Sequence, residues 1–236
     1  MRNGGYSPGD FSRARVTNPN QSEIVRQRLY DWQLYPTAGQ GQLTFFALPV
    51  GQGVTTALGG VVGSAKTYAD TNMDLAGQLP SGKAFMVESI EVHFFAGASA
   101  AANTYTPATA GLFNAVAAAA IVAQANDVNT FYQAGILEFN ILSKNYVRET
   151  PALAFPPKQV FNIDIGIANN SATTSTIGVL NSRAAGRPYY VDPEIALAPA
   201  QNFDVKLLYP GAVATPSGFN GRVGIILDGY FKRASQ

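Results

Sequence analysis

Apolar and polar residues alternate along most of this chain with a period of two, the spacing that sends successive side chains to opposite faces of a strand. The longest such run is 84–95. There Met86, Ile90, Val92 and Phe94 share one face, with Glu88 the exception, and Phe85, Val87, Ser89, Glu91, His93 and Phe95 share the other. In 159–168, Phe161, Ile163, Ile165 and Ile167 oppose Asn162, Asp164 and Gly166. In 222–232 the pattern sends Val223, Ile225, Leu227 and Phe231 inward and Arg222, Asp228, Tyr230 and Lys232 outward. Further strands are predicted over 42–48, 135–142, 146–150, 176–180, 194–198 and 202–209.

Two segments read as short helices. In 22–32, Ser22 is placed to act as N-cap and Ile24, Val25, Arg28 and Leu29 fall near helical spacing, with Pro36 and Gly39 beyond. In 112–124 alanine, the best helix former, dominates, and Asn126, Asp127 and Asn129 are expected to close the helix. Between the elements lie long loops of small residues, notably 51–71, 96–110, 181–190 and 210–221. Strands separated by such unequal loops fit an all-β jelly-roll sandwich of about eight strands better than a meander or an immunoglobulin-type domain. No repeat of 20–50 residues is present, which sets aside solenoids and propellers. The expected organisation is an extended amino-terminal arm with a short helix over 1–40 and a sandwich domain over 41–236.

Composition narrows the chemistry. The 236 residues contain no cysteine, one histidine and 13% charged side chains. That excludes disulfides, iron–sulfur clusters and thiolate zinc sites. A chain of this length buries roughly 70% of its unfolded surface and needs no covalent or metal staple. The net charge is +1, which argues against a surface held wholesale to nucleic acid. The charge is unevenly spread: residues 1–30 hold Arg2, Arg13, Arg15, Arg26 and Arg28 against Asp10 and Glu23, a net of +3, leaving −2 for the remainder. The first 25 residues lack the apolar stretch of a secretory signal. No apolar run reaches the ~18 residues of a spanning helix, so the chain is expected to be soluble or inserted into an assembly.

Several constellations were weighed as chemistry. Gly77 to Ala84 matches the phosphate-loop spacing until Ala84 replaces the metal-binding hydroxyl, and it opens a strand rather than a helix, so it reads as a strand-entry turn. Asp70, Asn72 and Asp74 reproduce the opening of a calcium loop, but Leu75 and Ser81 replace its glycine and glutamate; a solvated loop is favoured, with a weak cation site the alternative. His93 lies two residues from Glu91 on one strand face and reads as structural, no Gly-x-Ser-x-Gly elbow being present. Glu88, Glu91, Glu138, Asp164 and Asp228 fall on predicted strands and keep two-carboxylate glycoside hydrolysis open. No cofactor, metal or small-molecule substrate is expected, and the chain reads as a non-enzyme.

An arginine-bearing amino-terminal segment, strands joined by Gly/Ala/Thr-rich loops, and the closing run Gly224-Ile-Ile-Leu-Asp-Gly-Tyr-Phe-Lys232 together resemble the single jelly-roll coat proteins of icosahedral viruses, including tailless bacteriophages. The resemblance implies a virion structural protein assembled in the host cytoplasm. Its implied partners are further copies of itself, a trimer within a shell among the forms, and other virion proteins. It implies an arm, through Arg2, Arg13, Arg15, Arg26 and Arg28, that ties subunits together or touches viral nucleic acid or an internal membrane. The alternatives are a decoration, spike or receptor-binding protein forming a trimer on host glycan, and a carboxylate-based glycosidase.

Overall fold

The computed structural model describes residues 23–57, 63–97, 118–170 and 173–233, and the side chains of all of these but 118–121 and 159–184. In chain order the elements are β1 (Glu23–Arg26), β2 (Leu29–Tyr35), β3 (Gln42–Phe45), β4 (Lys83–Phe95), α1 (Ala118–Ala134), β5 (Ile136–Ile141), β6 (Lys144–Glu149), α2 (Pro151–Ala154), β7 (Gln159–Asn170), β8 (Thr173–Ala184), β9 (Tyr189–Leu197), β10 (Phe203–Leu208) and β11 (Gly221–Arg233). The fold is mostly β, an all-β sandwich of two antiparallel sheets. One sheet runs β1–β11–β4–β9, with β2 joining β1 on the same side of β11; the other runs β3–β10–β5–β6. Strands β7 and β8 form a separate hairpin in unbroken register from Gln159↔Ala184 to Asn170↔Thr173.

Alternation explains the core. Leu29 and Tyr35 of β2, Val223, Ile225 and Leu227 of β11, and Ile195 and Leu197 of β9 face inward from the first sheet. Leu43 and Phe45 of β3, Leu137, Phe139 and Ile141 of β5, and Phe203, Val205 and Leu207 of β10 meet them from the second. Each such side chain contributes about 1.5–3 kcal/mol on burial. Helix α1 covers one part of this core: Phe131 stacks on Phe94 with ring centroids 4.5 Å apart and meets Tyr35 edge-on. Its Asp127 accepts the Ser217 backbone N–H at 2.8 Å and the Ser217 hydroxyl at 2.5 Å, fastening the helix to the loop before β11. Tyr35 donates to the Val213 carbonyl, and burial pushes its phenol up to about 12.

Strand β4 departs from the single alternation expected of it. Phe85 and Val87 face the core, and so do Ile90, Val92 and Phe94, one register later. The phase changes where the pairing with β11 slips between Asp228 and Gly229. This is a β-bulge, which inserts one residue and turns the following side chains over. Gly229 is needed there, because a Cβ would lie 1.8 Å from the Met86 carbonyl oxygen.

The helix expected over 22–32 is not formed. From residue 23 onward this stretch is two edge strands, β1 pairing Glu23↔Arg233 to Arg26↔Tyr230 and β2 pairing Leu29↔Leu227 to Tyr35↔Gly221. Both strands keep one register with β11 across Gln27 and Arg28, and it is Ile24, Val25, Arg28 and Leu29, alternating between the two faces of these strands, that mimic helical spacing. Residues 23–35, expected in an arm, therefore belong to the sheet, and the expected boundary at residue 40 falls after them. The second helix begins within the alanine-rich stretch but runs through Asn126, Asp127 and Asn129 to Ala134, because Val128, Phe131 and Tyr132 bury on the core. The strands around 176–180 and 194–198 are longer than expected, and β9 takes in Tyr189 and Tyr190. The turn from Gly77 to Lys83 leads into β4, with the Lys83 N–H bonded to the Pro80 carbonyl at 3.1 Å.

Candidate functional site

The five-stranded sheet carries a seam of alternating charge on the face away from the core, where the amino-terminal strands meet β11 and β4. Arg26 ends β1 and reaches Glu88 of β4 at 2.7 Å and Asp228 of β11 at 3.1 Å. Arg28, in the break between β1 and β2, lies 3.6 Å from the other oxygen of Asp228 and 4.0 Å from Glu91. Glu91 also accepts from His93 at 2.9 Å and lies 3.9 Å from Lys158, whose ammonium donates to the Gly186 carbonyl at 2.9 Å. Ion by ion the order is Glu88, Arg26, Asp228, Arg28, Glu91, then His93 and Lys158. The bulge makes this possible, since the extra residue it places in β4 sets Glu88 and Glu91, of opposite parity, on the face that carries Asp228.

An aromatic group continues the seam. Gly224 sits between Trp32 of β2 and His93 of β4 in the cross-strand register. The Trp32 ring lies across it, where a Cβ would be 2.4 Å from the ring carbons. Trp32 stacks against Phe95 with centroids 5.6 Å apart, and the Arg222 guanidinium lies over it at 4.4 Å. His93 is held mostly out of water here. Burial lowers its pKa, and this outweighs the opposing pull of Glu91. The sign follows: the histidine's contribution to folding is complete above about 6.5, its unfolded value, and is lost as pH falls through the lower folded one.

A second polar group lies inside. Asp31 and Lys66 are both buried and meet at 2.5 Å, and Asp31 also accepts the Phe46 N–H at 2.7 Å. Burial raises the Asp31 pKa against the pull of Lys66 and these hydrogen bonds. Asp70, fully buried, accepts from the Thr55 hydroxyl (2.7 Å), the Thr56 N–H (2.8 Å) and the Thr67 N–H (3.1 Å), with Arg222 at 3.5 Å. Burial opposes its charge, but the donors win and hold the carboxyl below its ordinary value. The Asp70 carbonyl accepts the Trp32 N–H, and Asn72 accepts the Tyr30 N–H, so this loop closes the free edge of β2.

These placements settle several expectations. Asp70, Asn72 and Asp74 do not form a calcium loop: Asp70 turns inward to threonines while Asn72 turns to the β2 backbone, through Tyr30 and the Arg28 carbonyl. Among the described residues no cluster of three metal-ligating side chains occurs. Of the five strand carboxylates, Glu88, Glu91 and Asp228 come together, each against an arginine. Glu138 lies in the other sheet, 2.7 Å from Arg148, and the Asp164 side chain is outside the described residues. Of the five arginines, Arg26 and Arg28 are brought into the seam, while Arg2, Arg13 and Arg15 fall outside the described residues. The Asp31–Lys66 pair was missed, although alternation from Leu29 to Tyr35 places Asp31 on the inward phase of a strand.

No known protein family, curated protein or solved structure matches the chain.

Proposed function

We propose that the chain is a virion coat subunit of the single jelly-roll type, a structural rather than catalytic protein. The strand order carries this reading. From β2 the chain passes to β3 in the opposite sheet, back to β4, across to β5 and β6, back to β9, across to β10 and back to β11. Only β5–β6 among these connections stays within one sheet. Eight strands wound in this alternating way, each sheet interleaving early strands with late ones and β7–β8 lying between β6 and β9 in the chain, are what supports a double Greek-key, jelly-roll reading.

A fold does not by itself assign a function. What adds to it is the division of charge. Arg26 and Arg28 hold the entering strand to a nearly neutral sheet. Arg2, Arg13 and Arg15 precede it in the chain, so a basic segment joined to this sheet supports contact with a neighbouring subunit, nucleic acid or an internal membrane. The low content of charged side chains suits a surface that neighbours cover.

Electron microscopy and sedimentation of the concentrated protein test the reading. Closed shells or regular multimers are the expected result, and a species that stays monomeric under every assembly condition overturns it. Removing residues 1–22 should abolish assembly and leave the folded sandwich, since the strands among the described residues begin at Glu23. A closed trimer that never enters shells would instead favour a decoration or receptor-binding protein.

A further inference from the structure

An edge strand presents a row of backbone donors and acceptors to which another chain can add. Three of the described edges are guarded. The loop over 70–72 closes the free edge of β2, the short β3 has its Thr44 carbonyl bonded by Gln33, and β9 carries Pro193, which has no N–H to give. Strand β6 ends the second sheet, and Lys144, Asn145, Tyr146 and Arg148 along it are exposed. Its charges and its bulge would by themselves discourage a foreign strand. They fit a second copy of β6.

The bulge sets the fit. Glu149, Arg148 and Val147 stand opposite Leu137, Glu138 and Phe139, but after a slip Asn145 and Lys144 stand opposite Asn140 and Ile141, leaving Tyr146 as the extra residue. Lys144 and Glu149, of opposite parity, therefore share the phase of the buried Ile141 and Leu137, while Asn145 and Arg148 share the outer phase. A two-fold axis perpendicular to the sheet keeps each face on its own side, so it must bring residues of one phase together. Centred between Tyr146 and Val147, the axis sets Lys144 opposite Glu149 and Asn145 opposite Arg148, in phase at both positions. Centred on Tyr146, it would set Lys144 against Arg148, out of phase and like in charge. Centred on Val147, it would set Asn145 against Glu149, again out of phase.

We propose that β6 pairs antiparallel with β6 of a second copy about this axis, joining the two four-stranded sheets into one. On the outer face Asn145 and Arg148 already bond Asn140 and Glu138 of their own sheet. The pairing thus rests on backbone bonds and on two Lys144–Glu149 pairs related by the axis. Beyond the paired segment, Leu142 of one copy comes level with Pro151 of the other, at the start of α2. There Leu142 and Leu153, 64% and 85% exposed, gain apolar cover. The contact stands independently of the coat reading.

Sedimentation equilibrium of the full chain at low ionic strength tests it. The parent should dimerise with a dissociation constant on the order of 100 µM, as suits a small interface. Lys144→Glu and Glu149→Lys each set like charges opposite one another at both ends of the pairing, and each should weaken the dimer at least about tenfold. Mixing the two variants, or placing both substitutions in one chain, should restore it. Register is read by oxidation, since the chain has no cysteine of its own. A mixture of Lys144→Cys and Glu149→Cys should cross-link far faster than either alone, because like positions lie about 17 Å apart across the axis. A parent that stays monomeric at millimolar concentration, a dimer that neither reversal weakens, or a mixture no better than its components overturns the proposal. Dimers that follow these rules but never build shells support this contact and count against the coat reading alone.

Discussion

The two ionic groups of this protein use the same side-chain chemistry at opposite depths. In the outer seam, Arg26 and Arg28 are more than half exposed and bridge Glu88, Asp228 and Glu91. Inside, Asp31 and Lys66 meet with almost no access to water. In the seam the arginines keep access to water although Asp228 and Glu91 are largely covered, so the pairs fix direction and register at modest cost or gain. In the interior neither ion does, and each is tolerated only because the other is there. Electrostatic worth is thus set by what happens to the abandoned partner. Even within the interior the two aspartates differ: Asp31 is buried beyond what its partners offset, whereas Asp70 has donors enough to favour its charge.

The largest test of that contrast is Lys66→Met, which strands the Asp31 charge. Urea unfolding should show a loss of about 3–5 kcal/mol, and adding Asp31→Leu should restore much of it, since removing both ions removes the uncompensated charge. If the single variant is as stable as the parent, the interior pair is not a closed unit. Next in size is Asp70→Asn, which replaces an acceptor of several donors and should cost about 2–3 kcal/mol at neutral pH. Its pH profile carries the sign. The Asp70 contribution is complete above the ordinary carboxylate value and disappears as pH falls through the lower folded value, so the penalty should shrink in acid. Asp31, its pKa raised, works in the opposite sense, favouring the fold in acid and losing that contribution as pH rises. The smallest effect belongs to Arg26→Ala, expected at about 0.2–1 kcal/mol and fading with added salt in calorimetric melts. A loss as large as that of Lys66→Met would erase the distinction between surface and interior.

Period-two alternation made the sheets legible, because the strands bury one face each and a side chain's phase is a local property. What it missed is non-local. The bulge opposite Asp228 and Gly229 changes the phase of β4, and Ile24, Val25, Arg28 and Leu29, which alternate between the faces of two edge strands in one register, took on helical spacing. Lys66 and Asp70 sit in a stretch with little apolar mass, which read as a solvated loop. Their burial rests on Asp31, 35 positions away from Lys66, and on threonines whose hydroxyls become useful only once the loop folds over β2. The outer seam was half legible: its carboxylates were picked out on strands, but as chemistry rather than as partners for Arg26 and Arg28.

Strand β11 lies between β1 and β2 on one side and β4 on the other, yet it follows all of them in the chain. Translation therefore delivers β1, β2 and β4 without the strand that joins them. Until residues 221–233 leave the ribosome, the first sheet has no centre, its future partners expose unpaired backbone, and Asp228 is absent from the seam. Closure of the sandwich waits on the emergence of residues 221–233. Until then, growing chains on one message present one another with open edges rather than finished surfaces.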